Sequence, residues 1–375
     1  MDVQHVPCLA DVADTTGDGS PAGRAGARRA LRPVMPPATP SSTPSSTPSD
    51  PRPRLVLLDR SRTRTGADDA AAVRATVRRA RAAEALGYDG FWVAEHHGVP
   101  GVVGPAPAVL LAAVGAATSR IRLGSGGVML PQHPPLVVAE QFAVLAALHP
   151  GRVELGVGRS VGFTAPVRRA LRTPPEAADR FADDLRELLD LLRGRSPVTV
   201  RPAVPRPPEV VVLASRSGLA AAAALGLPVV VPAGADPAGT AAALDGYRAA
   251  FAGPGAPRAG LLLDVLVADS AQRARRELLP QAWSLAVSRT RGEFPPLPAP
   301  GEVDEAALSG RERRAVEEAL AATVHGTEEE VGPRLADLLE RTGAQELVVA
   351  ATVHDPELQE ESDARLADLL LAGGR

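Results

Sequence analysis

Apolar and polar positions along this chain follow two periods, and the changes of period divide it into elements. Short continuous apolar runs read as strands covered on both faces: RLVLLD (54–59), GFWVAE (90–95), IRLGSGGVML (121–130), RVELGVG (152–158), EVVVLA (209–214), LPVVVPA (227–233), GLLLDVLVA (260–268) and AQELVVAA (344–351). Between them the spacing is helical: 68–87, closed by a helix-stopping Gly87, then 105–118, 135–148, 176–192, 217–225, 237–251, 271–288, 303–322, 328–341 and 356–371. Eight strand–helix units over about 320 residues predict an α/β protein with the (β/α)8 TIM-barrel architecture. A doubly wound open sheet is the alternative. No strand is followed by GxGxxG and GxxxxGK[ST] is absent, so neither a dinucleotide-binding turn nor a P-loop is supported.

Ahead of this pattern the composition changes. Residues 1–53, with SSTPSSTPSDPRPR as the clearest part, are expected to be a low-complexity disordered tail, because such composition buries too little apolar surface to offset the entropy of ordering. A misassigned start codon accounts for them equally well. The barrel domain is expected to span 54–375.

Composition narrows the function classes. The chain has 375 residues, 45% of them hydrophobic, enough for one large core. Its net charge of −3 gives no electrostatic reason for a nucleic-acid partner. Aromatic residues make up only 3%, so the core must be built from Ala, Val and Leu. The single cysteine, Cys8, excludes an intrachain disulfide and a cysteine-based zinc cluster. No apolar run approaches the roughly 18 residues of a spanning helix, and the N-terminus lacks an apolar signal region, so a cytoplasmic protein without a membrane partner is expected.

In a barrel, chemistry gathers at the C-terminal strand ends. The second strand ends in Glu95-His96-His97. Neighbouring strand residues face opposite ways, so one histidine can face the mouth while the other packs outward. Adjacent residues rarely chelate one metal together, and the remaining histidines show no HxxxH or HExxH spacing, so no metal is expected. Proton transfer near neutral pH suits a histidine; a hydrogen-bonded structural histidine is the plainer reading. The third strand ends in GSGGVMLP, where Gly126 and Gly127 fit either a flat ligand against bare backbone or a bulge needed for curvature. Arg159, after the fourth strand, offers a donor fork suited to phosphate, or is an exposed charge in a loop. Ser215, Arg216 and Ser217 lead into a helix whose N-terminus suits an anion and equally suits ordinary capping.

Taken together, GYDGFWVAEHHGVPG, AATSRIRLGSGGVMLPQHPPLVVAEQFAVLAALHPGRVELGVGRSVG and ERTGAQELVVAATVHD resemble the bacterial luciferase-like family of flavin-dependent monooxygenases. The resemblance is dense over 86–162 and thinner to the C-terminus. It implies a TIM barrel that uses reduced FMN and O2 on a small, apolar organic substrate, with the FMN supplied by a separate flavin reductase, and a homodimer. The deazaflavin F420, with hydride transfer and no O2, is the alternative; a flavin-binding or partner-subunit protein without turnover is a second. By position, His96 matches the family's active-site histidine, Gly126-Gly127 a non-prolyl cis peptide behind the flavin ring, and Arg159 the residue that holds the flavin phosphate. Two stretches depart. Relatives carry LGSS where this chain has Leu213-Ala214-Ser215-Arg216-Ser217, which shifts phosphate binding toward Arg216. Relatives also carry an aromatic and histidine-rich stretch where this chain has VVVPAGAD, so a different substrate pocket is expected.

Overall fold

The structure is a computed structural model that describes residues 52–162, 164–214, 216–233 and 236–371, with only the backbone at 216 and 217. In chain order its elements are β1 (Arg54–Asp59), α1 (Asp69–Leu86), β2 (Gly90–Val93), α2 (Pro107–Ala117), β3 (Arg122–Ser125), β4 (Val128–Met129), α3 (Pro135–Leu148), β5 (Val153–Gly158), α4 (Ala165–Ala170), α5 (Phe181–Leu192), β6 (Glu209–Leu213), α6 (Arg216–Leu225), β7 (Val229–Pro232), α7 (Pro237–Ala249), β8 (Ala259–Leu263), β9 (Val265–Val267), α8 (Ala271–Arg291), α9 (Gly310–Ala322), β10 (Val324–Gly326), α10 (Glu328–Thr342), β11 (Glu346–Val349) and α11 (Pro356–Leu371).

The strands close on themselves. The order β3-β2-β1-β11-β8-β7-β6-β5 is parallel throughout, and β3 pairs again with β5. That ring of eight parallel strands with helices between them is the expected TIM barrel. Alternation sorts its side chains: Leu55 and Leu57 pack outward against the helices, while Val56 and Leu58 face the barrel axis with Trp92, Val211, Val230 and Val348. Trp92 is fully buried there, and its Nε1 donates to Glu154 Oε2 at 2.9 Å. The same carboxylate accepts from Arg54 Nη2 (3.0 Å) and Arg122 Nε (2.7 Å) near the starts of β1 and β3.

Three features depart from the sequence expectation. The run 260–268 is not one strand. Asp264 interrupts it, accepting from Arg60 Nη1 at 2.9 Å, and the chain continues as β9, which pairs with β10 away from the barrel. The segment from β9 to β10 carries α8 and α9, which pack on each other with a core of their own around Leu278, Leu308, Val316 and Leu320. Second, the third strand is broken at Gly126-Gly127 into β3 and β4. Arg52, assigned by composition to the tail, pairs with Asp89 at 2.7 Å. No helix among the described residues is long and apolar enough to cross a membrane.

Candidate active site

The site lies at the C-terminal ends of β2, β3, β5 and β6, which are neighbours in the barrel. Strand β2 stops at Val93, so Glu95, His96 and His97 belong to the loop that follows. Strict strand alternation therefore does not decide which histidine faces the mouth; the local contacts do. His96 lies against Phe294, ring centroids 6.4 Å apart and planes at 26°. Burial, with Arg60 and then Arg62 adding to it, pushes its imidazole down to about 4. His96 is thus neutral across the physiological range, able to accept a proton or a hydrogen bond there.

Glu95 is the node that sequence reasoning passed over. Its side chain is completely buried. Oε1 accepts from His97 Nε2 at 2.7 Å and from His133 Nε2 at 2.6 Å, while Oε2 accepts from the Met129 backbone N–H at 2.7 Å. Burial alone would raise this carboxyl, but the hydrogen bonds from His133, His97 and Met129 outweigh it and hold it down at about 2. The carboxylate ties the end of β2 to the segment just after the Gly126-Gly127 break. Glu95, His97 and His133 also gather three metal-ligand atoms within 4.8 Å. Their N···O separations are those of hydrogen bonds; ligand atoms around a tetrahedral Zn2+ lie about 3.3 Å apart. His133 stands 38 residues from Glu95 in PQHPP, outside any helical ligand spacing.

The Gly126-Gly127 peptide is cis, as the resemblance leads one to expect. The glycines are required by packing on the barrel side. A Cβ on Gly126 would lie 2.5 Å from Leu58 Cδ1, and one on Gly127 would lie 2.9 Å from the Gly156 carbonyl oxygen. One residue pair after β4 meets β5 (Val128↔Val157), Arg159 follows, about one-third exposed, with Asp179 Oδ1 4.0 Å from Nη2. Val157 in turn pairs with Val212 of β6, which places Arg159 and the start of α6 at adjoining strand ends. Ser215 lies outside the described residues, and the Arg216–Ser217 backbone opens α6. A guanidinium and a helix N-terminus at adjoining strand ends are donors of the kind that suit a phosphate.

A strip of backbone forms the wall of the mouth beside His96. Arg62 bridges Val102 antiparallel, Thr63 N–H donates to the Gly101 carbonyl (3.1 Å), Gly101 N–H to that of Phe294 (2.6 Å), and Leu297 N–H to that of Thr63 (3.0 Å). The segment between α8 and α9 therefore reaches back over the barrel and delivers Phe294 to His96. A cavity of about 180 Å3 opens next to this wall, near the ends of β1 and β11 and between α1 and α11, bordered by Ser61, Arg62, Arg64, Thr76, Arg78 and Gln359.

Comparison with known proteins agrees with this arrangement. The sequence model of the luciferase-like monooxygenases matches residues 54–346. The chain belongs to the luciferase-like monooxygenase family. It is 36% identical to a luciferase-like monooxygenase of Escherichia coli strain K12 over 285 residues, 74% of this chain and 84% of that one. It is 44% identical over 155 residues to an N-acetyl-S-alkylcysteine monooxygenase of Bacillus subtilis strain 168, covering 41% of this chain and 46% of the relative. The crystal structure of apo-MsnO8 superposes with a TM-score of 0.78 at 34% identity, over 86% of this chain and all of that one. The family match covers the first to seventh barrel strand ends, and so includes Glu95, His96, His133 and Arg159.

Proposed function

We propose that this chain is a flavin-dependent monooxygenase that uses reduced FMN and O2 to oxygenate a small organic substrate at the barrel mouth. The observation that carries this reading is the layout of the mouth. A buried, neutral His96 stands at the β2 end, bare glycine backbone follows at the β3–β4 break, and phosphate-type donors stand at the β5 and β6 ends. This sequence of groups suits a flat cofactor lying across four strand ends with its phosphate at Arg159 and its reactive ring near His96. Reduced FMN supplies the electrons that activate O2. The protein's own groups do the rest. Arg159 and the N-terminus of α6 bind the phosphate, and Trp92 and Leu58 floor the site beneath the glycines. Glu95 fixes the two loops to each other, and His96 takes or holds a proton beside the ring. The segment carrying Phe294 excludes water from that side.

Reduced flavin is expected from a separate flavin reductase. A homodimer is part of this proposal. The exposed apolar side chains Val109 (72%), Leu148 (60%), Val144 and Val137 on α2 and α3 support pairing of two copies through these helices. The test is titration of the purified chain with FMN, reduced FMN and F420, followed by O2 consumption. Tight binding of reduced FMN with O2 uptake supports the reading. Binding of F420 alone, without O2 uptake, replaces it with hydride transfer.

A further inference from the structure

The loop after β1 reads RSRTR, with arginines at 60, 62 and 64. They are not equivalent. Arg60 pairs with Asp264 at 2.9 Å. Arg64 donates to the carbonyls of Val353 and His354. Arg62 is 5% exposed and has no carboxylate partner among the described residues. Its Nη2 donates to Ser284 Oγ at 2.9 Å, and its guanidinium carbon sits 4.4 Å from the Phe294 ring centroid. Nε and Nη1 are buried and have no hydrogen-bond partner. Burial, with Arg60 and Arg64 adding like charge, pushes Arg62 down to about 9. A buried cation without a counter-ion and with open donors is unfavourable, and groups left in that state mark sites where a ligand completes the set.

The position of the cation says which ligand. Arg62 and His96 share one ring, Phe294. Ser284 takes a single Nη2 proton, on one edge of the guanidinium; the other edge keeps two parallel N–H donors, the geometry that receives a carboxylate. On Arg62 itself the attraction of Asp264, already paired with Arg60, offsets only part of the like charge of Arg60 and Arg64, so the balance at this guanidinium is positive.

We propose that Arg62 is the anchor for an anionic group, a carboxylate, on the organic substrate, which docks beside His96 when Phe294 turns away from the guanidinium. The proposal rests on the monooxygenase reading and narrows its substrate class. An acid with an apolar body meets both the cation and the apolar strand ends.

The test uses the full chain and two probes of one shape, hexanoate and hexanamide, titrated by calorimetry in the presence of FMN. Wild-type protein is expected to bind hexanoate at least about tenfold more tightly than hexanamide. Arg62→Gln should abolish that preference, and Arg62→Lys should keep part of it. FMN affinity, measured first and separately, should be the same in all three proteins, so failure to bind FMN counts against the flavin reading alone. The melting temperature of Arg62→Gln should equal or exceed that of the wild type, since the change removes an uncompensated buried charge. Absent or equal binding of the two probes by the wild type, a preference that survives Arg62→Gln, or a fall of several degrees in that variant would each overturn the proposal.

Discussion

His133 Nε2 lies 2.6 Å from Glu95 Oε1, joining two loops whose residues stand 38 apart in the chain. With His97 on the same oxygen and Met129 N–H on the other, a fully buried carboxylate is held by three donors. Glu95→Gln removes the charge and puts a donating NH2 where one of the two accepting oxygens was. It should lower the unfolding free energy at pH 7 by about 2–3 kcal/mol. The folded carboxyl titrates at about 2, below its ordinary 4.5, so this stabilisation is full above about 4.5 and disappears as the pH falls toward 2. Urea unfolding of both proteins at pH 7 and near pH 3 checks it; an equal difference at both would refute it. Dialysis against a chelator should leave the melting temperature where it was. A drop would assign the three side chains to a metal ion.

The barrel was legible because each of its strands is buried on both faces and therefore reads as a continuous apolar run, and because helices close on signals such as Gly87, which caps α1 with φ 92°. The break at Asp264 was not legible. An acid inside an apolar run looks like a tolerated polar residue until Arg60, 204 residues away, is seen to hold it. The short β10 also escaped, since three residues carry no periodic signal. In the site, His96 and the Gly126-Gly127 pair were visible because they sit beside apolar runs. Glu95 was in view but eclipsed by the histidines next to it, and its partner His133 bears no sequence relation to it. Phe294 and Arg62 meet only through the long segment between β9 and β10, whose path no local pattern encodes.

Gly124 faces the barrel axis, and a Cβ there would fall within the indole of Trp92. Trp92 is fully buried and held by Glu154, so it has nowhere to retreat. Gly124→Ala should therefore destabilise the protein by about 1–3 kcal/mol through overpacking. Gly124→Ala combined with Trp92→Leu should recover part of that loss. Thermal unfolding of the two single variants and the double variant measures the coupling, and strictly additive effects would remove the steric explanation.

Arg159 is expected to hold the flavin phosphate. Arg159→Ala should weaken FMN by about 1.5–3 kcal/mol, roughly ten- to a hundredfold, and leave riboflavin almost unaffected, because riboflavin lacks the phosphate. Fluorescence titration with both ligands separates the cases. Equal weakening of the two would point to a disturbed strand end instead of a lost contact.

His96 and His97 stand side by side and should fail differently. His96 contacts Phe294 at the mouth, whereas His97 is spent on Glu95. His96→Ala should leave fold and FMN affinity nearly intact while lowering turnover by about 10²–10⁴, the usual share of general acid–base catalysis. His97→Ala should lose about 1.5–3 kcal/mol of stability and much less activity. The pH dependence adds a second check. The folded imidazole of His96 titrates at about 4 and the unfolded one near 6.5, so the unfolded chain binds the proton more readily between these values. His96 therefore lowers stability as the pH falls from 6.5 to 4, and His96→Ala should flatten that part of the stability curve. The acid limb of kcat/KM that His96 controls should fall near 4. An acid limb at 6.5 that vanishes in His96→Ala would mean that the imidazole is far better solvated than its place against Phe294 allows.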